Sequence, residues 1–187
     1  MHWGELAGLQ PARCHLDQGY LYLDPDDGSL HEVDGRLFLG PPKNGKGRTI
    51  HLPPFLIELL RIHLEQIDTA QVFTSPDGTY LRRSSFNRRV WRPACDGNPT
   101  HPDPGLQAPL LPGMRFHDLR HTHKTWMIED DIPEVAQCDR LGHTLHGIRG
   151  VYSHTTAAMI TALLNRLQQR WTGAIGADPD GDNPRAA

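Results

Sequence analysis

A chain of 187 residues with 37% hydrophobic and 22% charged side chains holds enough material for one globular domain with a single core. No apolar run approaches the roughly 20 residues of a membrane span, and the N-terminus shows no basic start followed by an apolar stretch, so neither a membrane helix nor a signal peptide is expected. The formal net charge of −3 hides a segregation of acid from base, and three scattered cysteines (Cys14, Cys95, Cys138) with no CxxC pair argue for reduced thiols in a cytoplasmic protein.

In chain order, His2 to Leu9 reads as the closing turns of a helix. Gly19–Leu23 and Gly35–Leu39 read as strands joined through an acidic turn at Asp26–Gly28. Asn44–Gly45 is a hairpin signal, and Arg48–Leu52 reads as the next strand of one small antiparallel sheet. Pro53 and Pro54 open a helix whose apolar positions are Phe55, Leu56, Leu59, Leu60, His63 and Ile67. Ser84 and Ser85 are cap candidates for a helix that turns Phe86, Val90 and Trp91 inward and its arginines outward. Six prolines between residues 93 and 113 predict an irregular loop. Helices then follow from His117 to about Asp130, over Pro133–Leu141 with a stop at Gly142, and over Thr155–Trp171. The Gly-, Asp- and Pro-rich tail at 172–187 is expected to be disordered.

The densest chemistry is Arg115–Thr125, RFHDLRHTHKT. At helical spacing His117, Arg120, His121 and Lys124 share one sector, opposite Leu119, Thr122 and Trp126. This predicts a buried apolar stripe and a cationic stripe facing solvent or a cleft. Guanidinium forks suit phosphate oxygens, so His117 and Arg120 form a candidate phosphate clamp. A competing reading takes His117 and His121 as zinc ligands of a hydrolase. There the intervening acid is Asp118 rather than Glu, Arg120 opposes a dication, and no third ligand has characteristic spacing. The basic runs Lys43/Lys46/Arg48 and Arg82/Arg83/Arg88/Arg89/Arg92 are either solvated faces or a surface for nucleic-acid phosphates.

Downstream, Leu141-Gly142-His143 ends a helix, and nine residues after His143 comes Tyr152 in GVYSH. The order H-x-x-R, L-G-H, Tyr, with PPKNGKGRTIHLPP and VFTSPDGTYLRRSSFNRRV upstream, resembles the catalytic domain of the tyrosine recombinase (phage integrase) family over residues 3 to about 171. The resemblance implies a mainly α fold with a small antiparallel β-sheet, that of the DNA breaking–rejoining enzymes. It implies double-stranded DNA as partner, self-association (tetramers in related enzymes), and no metal or other cofactor. Tyr152 takes the place of the nucleophile that forms a 3′-phosphotyrosyl link. Arg120 and His143 take the places of the groups on the non-bridging oxygens, and His117 that of an aid to proton transfer. Lys43 takes the place of the general acid for the 5′-oxygen, with Lys46 as the competing candidate. Arg48, Arg82, Arg83, Arg88 and Arg89 are the expected DNA contacts.

The chain departs from the family at its start. In the family's R-x-G-E-L stretch, Trp3, Gly4, Glu5 and Leu6 match, but His2 stands where an arginine is expected. One imidazole donor replaces a fork, a loss worth roughly 10²-fold or more in rate. The family's first catalytic-domain helix and its upstream DNA-clamp domain are also not evident. The resemblance therefore leaves two outcomes open, an active recombinase and an impaired integrase remnant that only binds DNA.

Overall fold

Alternating inward residues build the first layer. Leu21, Leu23 and Ile50 are buried, while Tyr20, Tyr22 and Thr49 between them are not. In the computed structural model, which describes residues 1–102, 107–144 and 154–176, these positions lie on a three-stranded antiparallel sheet. It consists of β1 (Cys14–His15), β2 (Tyr20–Leu23) and β5 (Arg48–His51), in the order β1-β2-β5 with Leu21 opposite Ile50. Strands β3 (Ser29–Val33) and β4 (Arg36–Gly40) form a separate two-stranded hairpin. Its two-residue turn is Asp34–Gly35, with φ of 49° and 76°.

The expected single sheet is thus two. The 19–23 segment pairs with 48–51 rather than with 35–39, because the Asp34–Gly35 turn claims residues 29–33 for β4. Asn44–Gly45 still makes a tight turn, with the Gly45 N–H on Pro42 O at 2.7 Å, but it lies in a crossover between sheets.

Helix α1 (Trp3–Ala7) lies on β3, and its glycines permit the approach. A Cβ on Gly4 would sit 2.5 Å from Ser29 Oγ and 2.6 Å from Leu30 O. Helix α2 (Pro54–Glu65) closes the first core, where Leu9, Leu21, Leu23, Ile50, Leu52, Leu60 and Val72 meet. Leu59, expected inside, is 45% exposed.

Residues 83–96 form one helical run: α3 (Arg83–Phe86), a π-turn (Asn87–Trp91) and α4 (Arg92–Asp96). Ser84 and Ser85 lie inside it rather than at its cap, and the helix passes Pro93 instead of ending there. The π-turn immediately before Pro93 is where a proline ring would otherwise meet the carbonyl of residue 89.

Helices α5 (Asp118–Glu129), α6 (Glu134–Leu141) and α7 (Ala157–Gly176) enclose a second core of Met127, Ile132, Ala136, Leu141 and Leu163. Helix α7 runs to Gly176, beyond the expected end at Trp171, and residues 177–187 lie outside the described ones. It docks on its own chain. Trp171 stacks on Phe55 with centroids 4.6 Å apart, and Gln168 Oε1 accepts the Phe55 N–H at 2.9 Å. No described helix is long and apolar enough to cross a membrane. The architecture is α+β, mainly helical with small antiparallel sheets.

Met127 is 1% exposed at the centre of the second core. Met127→Ala should lower unfolding free energy by about 2–5 kcal/mol, read by denaturant titration.

Candidate functional site: an acid-free cationic cavity

The orientation of α5 places part of the cationic stripe in a cleft, as one of the two expected arrangements, but departs from the expected buried apolar stripe. Arg120 and Met127 point inward, at 8% and 1% exposure, whereas Leu119 and Trp126 are 44% and 39% exposed. The intended apolar face is therefore largely outside, where Trp126 is covered by the Arg170 guanidinium at 5.3 Å. Arg170 is itself held by Asp130 and Glu129. Of the cationic face, His117 and Arg120 line, together with Leu119 and His123, a cavity of about 670 Å³ between α1, the sheets, α2 and α5, whereas His121 is exposed and outside it.

Arg120 is divided between two tasks. Its Nη2 donates to Leu141 O and, at 3.0 Å, to His143 Nε2. Its Nη1 is buried with no hydrogen-bond partner among the described residues. A buried guanidinium nitrogen without an acceptor is unfavourable by about 1–3 kcal/mol or more.

The His143 corner is set by a Schellman-type stop. The His143 N–H bonds Cys138 O at 2.8 Å, and Gly142 adopts φ 68°. Gly142 is required twice over, since a Cβ there would also lie 2.8 Å from the Arg48 guanidinium carbon. Asn44 Nδ2 donates to Gly142 O at 3.2 Å and so tethers the Lys43 turn to this corner. Lys43 lines the cavity and Lys46 does not, which separates the two candidates by position.

Arg48 was expected on a DNA-binding surface. Instead its Nη1 and Nη2 each donate at 2.8 Å to the two carboxylate oxygens of Glu5, with side-chain exposures of 9% and 3%. A surface contact by Arg48 is ruled out by this burial, and the residue acts as an internal strut. Burial raises the Glu5 carboxyl, but the hydrogen bonds and charge of Arg48, with the His2 N–H at 2.7 Å, outweigh it. They hold the group below the usual carboxylate range.

An aromatic box places the remaining residues. Phe116 receives Trp3, Phe86 and Trp91 at centroid distances of 5.3, 5.6 and 5.1 Å. This brings His117, one residue on, against His2, with the rings stacked at 5.7 Å. Burial foremost, then the Arg120 charge, pushes His2 down to about 4, so it is neutral at pH 7. His117 and His143 are also lowered, again mainly by burial.

The other expected DNA contacts divide. Arg82 is tied to Glu32 at 2.5 Å and to Gly35 O at 2.8 Å. Arg88 and Arg89 are exposed, and Arg83 lines the cavity. Tyr152 lies outside the described residues. His117 and His121 meet edge to face at 5.0 Å, and among the described residues no three His, Cys, Asp or Glu side chains are grouped to hold a metal ion.

Sequence reasoning missed the Glu5–Arg48 pair, the Asn44 tether and Arg140. The last bonds His51 O and, at 3.3 Å from its Nε, His123. None of these carries a local signal, because each joins segments 17 to 98 residues apart.

Arg48→Met would strand the Glu5 carboxylate and should lower stability by about 3–5 kcal/mol. The double variant with Glu5→Gln should recover much of that loss in a chemical-denaturation cycle. His123 is pushed down to about 4, mainly by burial and next by Arg140, against an unfolded value of about 6.5. Between these values the unfolded chain binds a proton that the folded chain refuses. Its contribution is thus complete above about pH 6.5 and is lost as pH falls towards 4. Melting temperatures taken from pH 7.5 to 4.5 should fall, and less steeply in His123→Asn.

No protein-family model matches the chain. A prophage ps2 probable integrase of Lactococcus lactis subsp. lactis (strain IL1403) is 26% identical over 136 residues, spanning 66% of this chain and 33% of that protein. A Tn1549 transposon integrase in complex with a circular intermediate DNA superposes with TM-score 0.64 at 16% identity, over 89% of this chain and 54% of the other. The same integrase with transposon right end DNA gives 0.56 at 18%, over 90% and 55%. The chain therefore spans a third to about half of the proteins it matches. The motif order, a prophage-integrase relative and an integrase-like fold thus agree in likening this chain to the catalytic domain of the tyrosine recombinases (integrases).

Proposed function

We propose that this chain cuts and rejoins double-stranded DNA at specific sites through a covalent tyrosine intermediate. One observation carries the reading: the cavity is lined by Lys43, Arg83, Arg120 and Arg140 with His2, His117 and His123, and by no carboxylate among its described residues. Such a wall attracts a polyanion and repels a metal dication. It is also where guanidinium and imidazole groups stabilise the extra negative charge of a phosphoryl transition state.

In this reading the Tyr152 oxygen attacks the scissile phosphorus. The Tyr152 O–P bond forms, the P–O5′ bond breaks, and the tyrosine proton passes to neutral His117. Lys43 delivers a proton to the leaving 5′-oxygen. Arg120, through its free Nη1, and His143 hold the non-bridging oxygens. The products are a 3′-phosphotyrosyl link and a free 5′-hydroxyl, and attack by another 5′-hydroxyl runs the same steps backwards. The bond energy is kept in the protein–DNA ester, so no nucleotide cofactor is consumed. Assembly into tetramers on paired DNA sites completes this reading.

The second reading is a DNA-binding remnant, and a specific feature favours it. His2 occupies the family's arginine position as a neutral ring stacked on His117 rather than as a charged fork.

A nicked suicide duplex drawn from the DNA flanking the gene decides between them. The recombinase reading expects a covalent protein–DNA adduct that is abolished in Tyr152→Phe and reduced about 10²- to 10³-fold in Arg120→Ala. A retained gel shift without adduct establishes the remnant. Stoichiometric zinc in the purified protein, with hydrolysis lost in His121→Ala, would instead establish the hydrolase.

A further inference from the structure

We propose that Arg83 is a second guanidinium of the reacting-phosphate site, filling beside His2 and His117 the role that a charged residue at position 2 would have. The inference rests on the phosphodiester reading of the cavity given above and adds a ligand to it.

The arginines around the cavity differ in how far they are committed. Arg48 is neutralised by Glu5 behind Gly142. Arg140 is spent on His51 O and His123. Arg120 gives one nitrogen to Leu141 and His143 and keeps the other. Arg83 lines the cavity and is exposed, with no hydrogen bond or ion pair among the described residues. Its neighbours in the same run are otherwise engaged, Arg82 with Glu32 and Arg92 with Asp96.

Its place is fixed by packing. Arg83 begins α3 and stands one helical turn before Phe86, on the same face. Phe86 contacts Trp3 at 5.1 Å and Phe116 at 5.6 Å, the residues that follow His2 and precede His117. The Arg83 charge is close enough to help lower His117. A planar, five-donor cation with no partner among the described residues therefore shares the cavity wall with His2 and His117.

The test needs no target sequence and no turnover. Binding of the dinucleoside monophosphate TpT is titrated by NMR, following the arginine Nε–H signals, in the intact chain. Circular dichroism confirms that each variant is folded. Arg83→Gln should weaken TpT about tenfold to a hundredfold, and Arg83→Lys, which keeps charge without the fork, should weaken it less. In a His2→Arg background the same Arg83→Gln change should shift binding by no more than about threefold. Arg36→Gln, on the exposed hairpin, should change nothing. Unchanged affinity in Arg83→Gln, or an equal loss in both backgrounds, overturns the role of Arg83 and leaves the recombinase reading intact. If Arg120→Gln also leaves TpT binding unchanged, the phosphodiester reading of the cavity falls, and the role of Arg83 with it.

Discussion

The ion pair between Glu5 and Arg48 is the constraint on which the site depends. Two charges at 3% and 9% side-chain exposure are tolerable only because both carboxylate oxygens meet both guanidinium nitrogens. The pair holds three places in register. Glu5 fixes α1 through the His2 N–H, Arg48 fixes β5, and the flat face of Arg48 occupies the space beside Gly142 that any Cβ would need. With the corner so fixed, Leu141 O and His143 are presented to Arg120, and one nitrogen of Arg120 is left unengaged.

The pair also settles the charge balance. Glu5 is paired with Arg48, and no carboxylate is among the described residues that line the cavity. A chain with a net charge of −3 can therefore keep a largely apolar cavity whose charged lining groups are Lys and Arg, with its acid placed elsewhere, as at Asp24 and Asp27 around Arg13. Overall charge is a poor guide to the partner of such a protein. The field in a partly enclosed site follows the nearest groups.

Much of this was legible in the sequence where the signal is local. The helix starts at Pro54 and near Pro133, the Gly142 stop and the motif order from His117 to His143 all depend on neighbouring residues. The family resemblance follows from that order. What was not legible depends on contacts across the chain. The apolar stripe of α5 was assigned to the wrong side, because a helix that supplies an arginine to a buried site must turn that residue inward and leave Leu119 and Trp126 outside. Arg48 looked like surface charge because its partner is 43 residues away. Strand β3 was missed because the Asp34–Gly35 turn was not weighed as a hairpin signal against the longer acidic turn before it.

The tether between Asn44 and Gly142 spans 98 residues, and the bond between Phe55 and Gln168 spans 113. Neither can form until the polypeptide has been made through α6 and α7. Loop closure over such separations is slow and comes late in folding. On a ribosome, the Lys43 turn, the His143 corner and Arg120 would remain unassembled through most of synthesis. A nascent chain of this kind carries the separate parts of the candidate site without their arrangement, and gains the Asn44 tether only once α6 has been made.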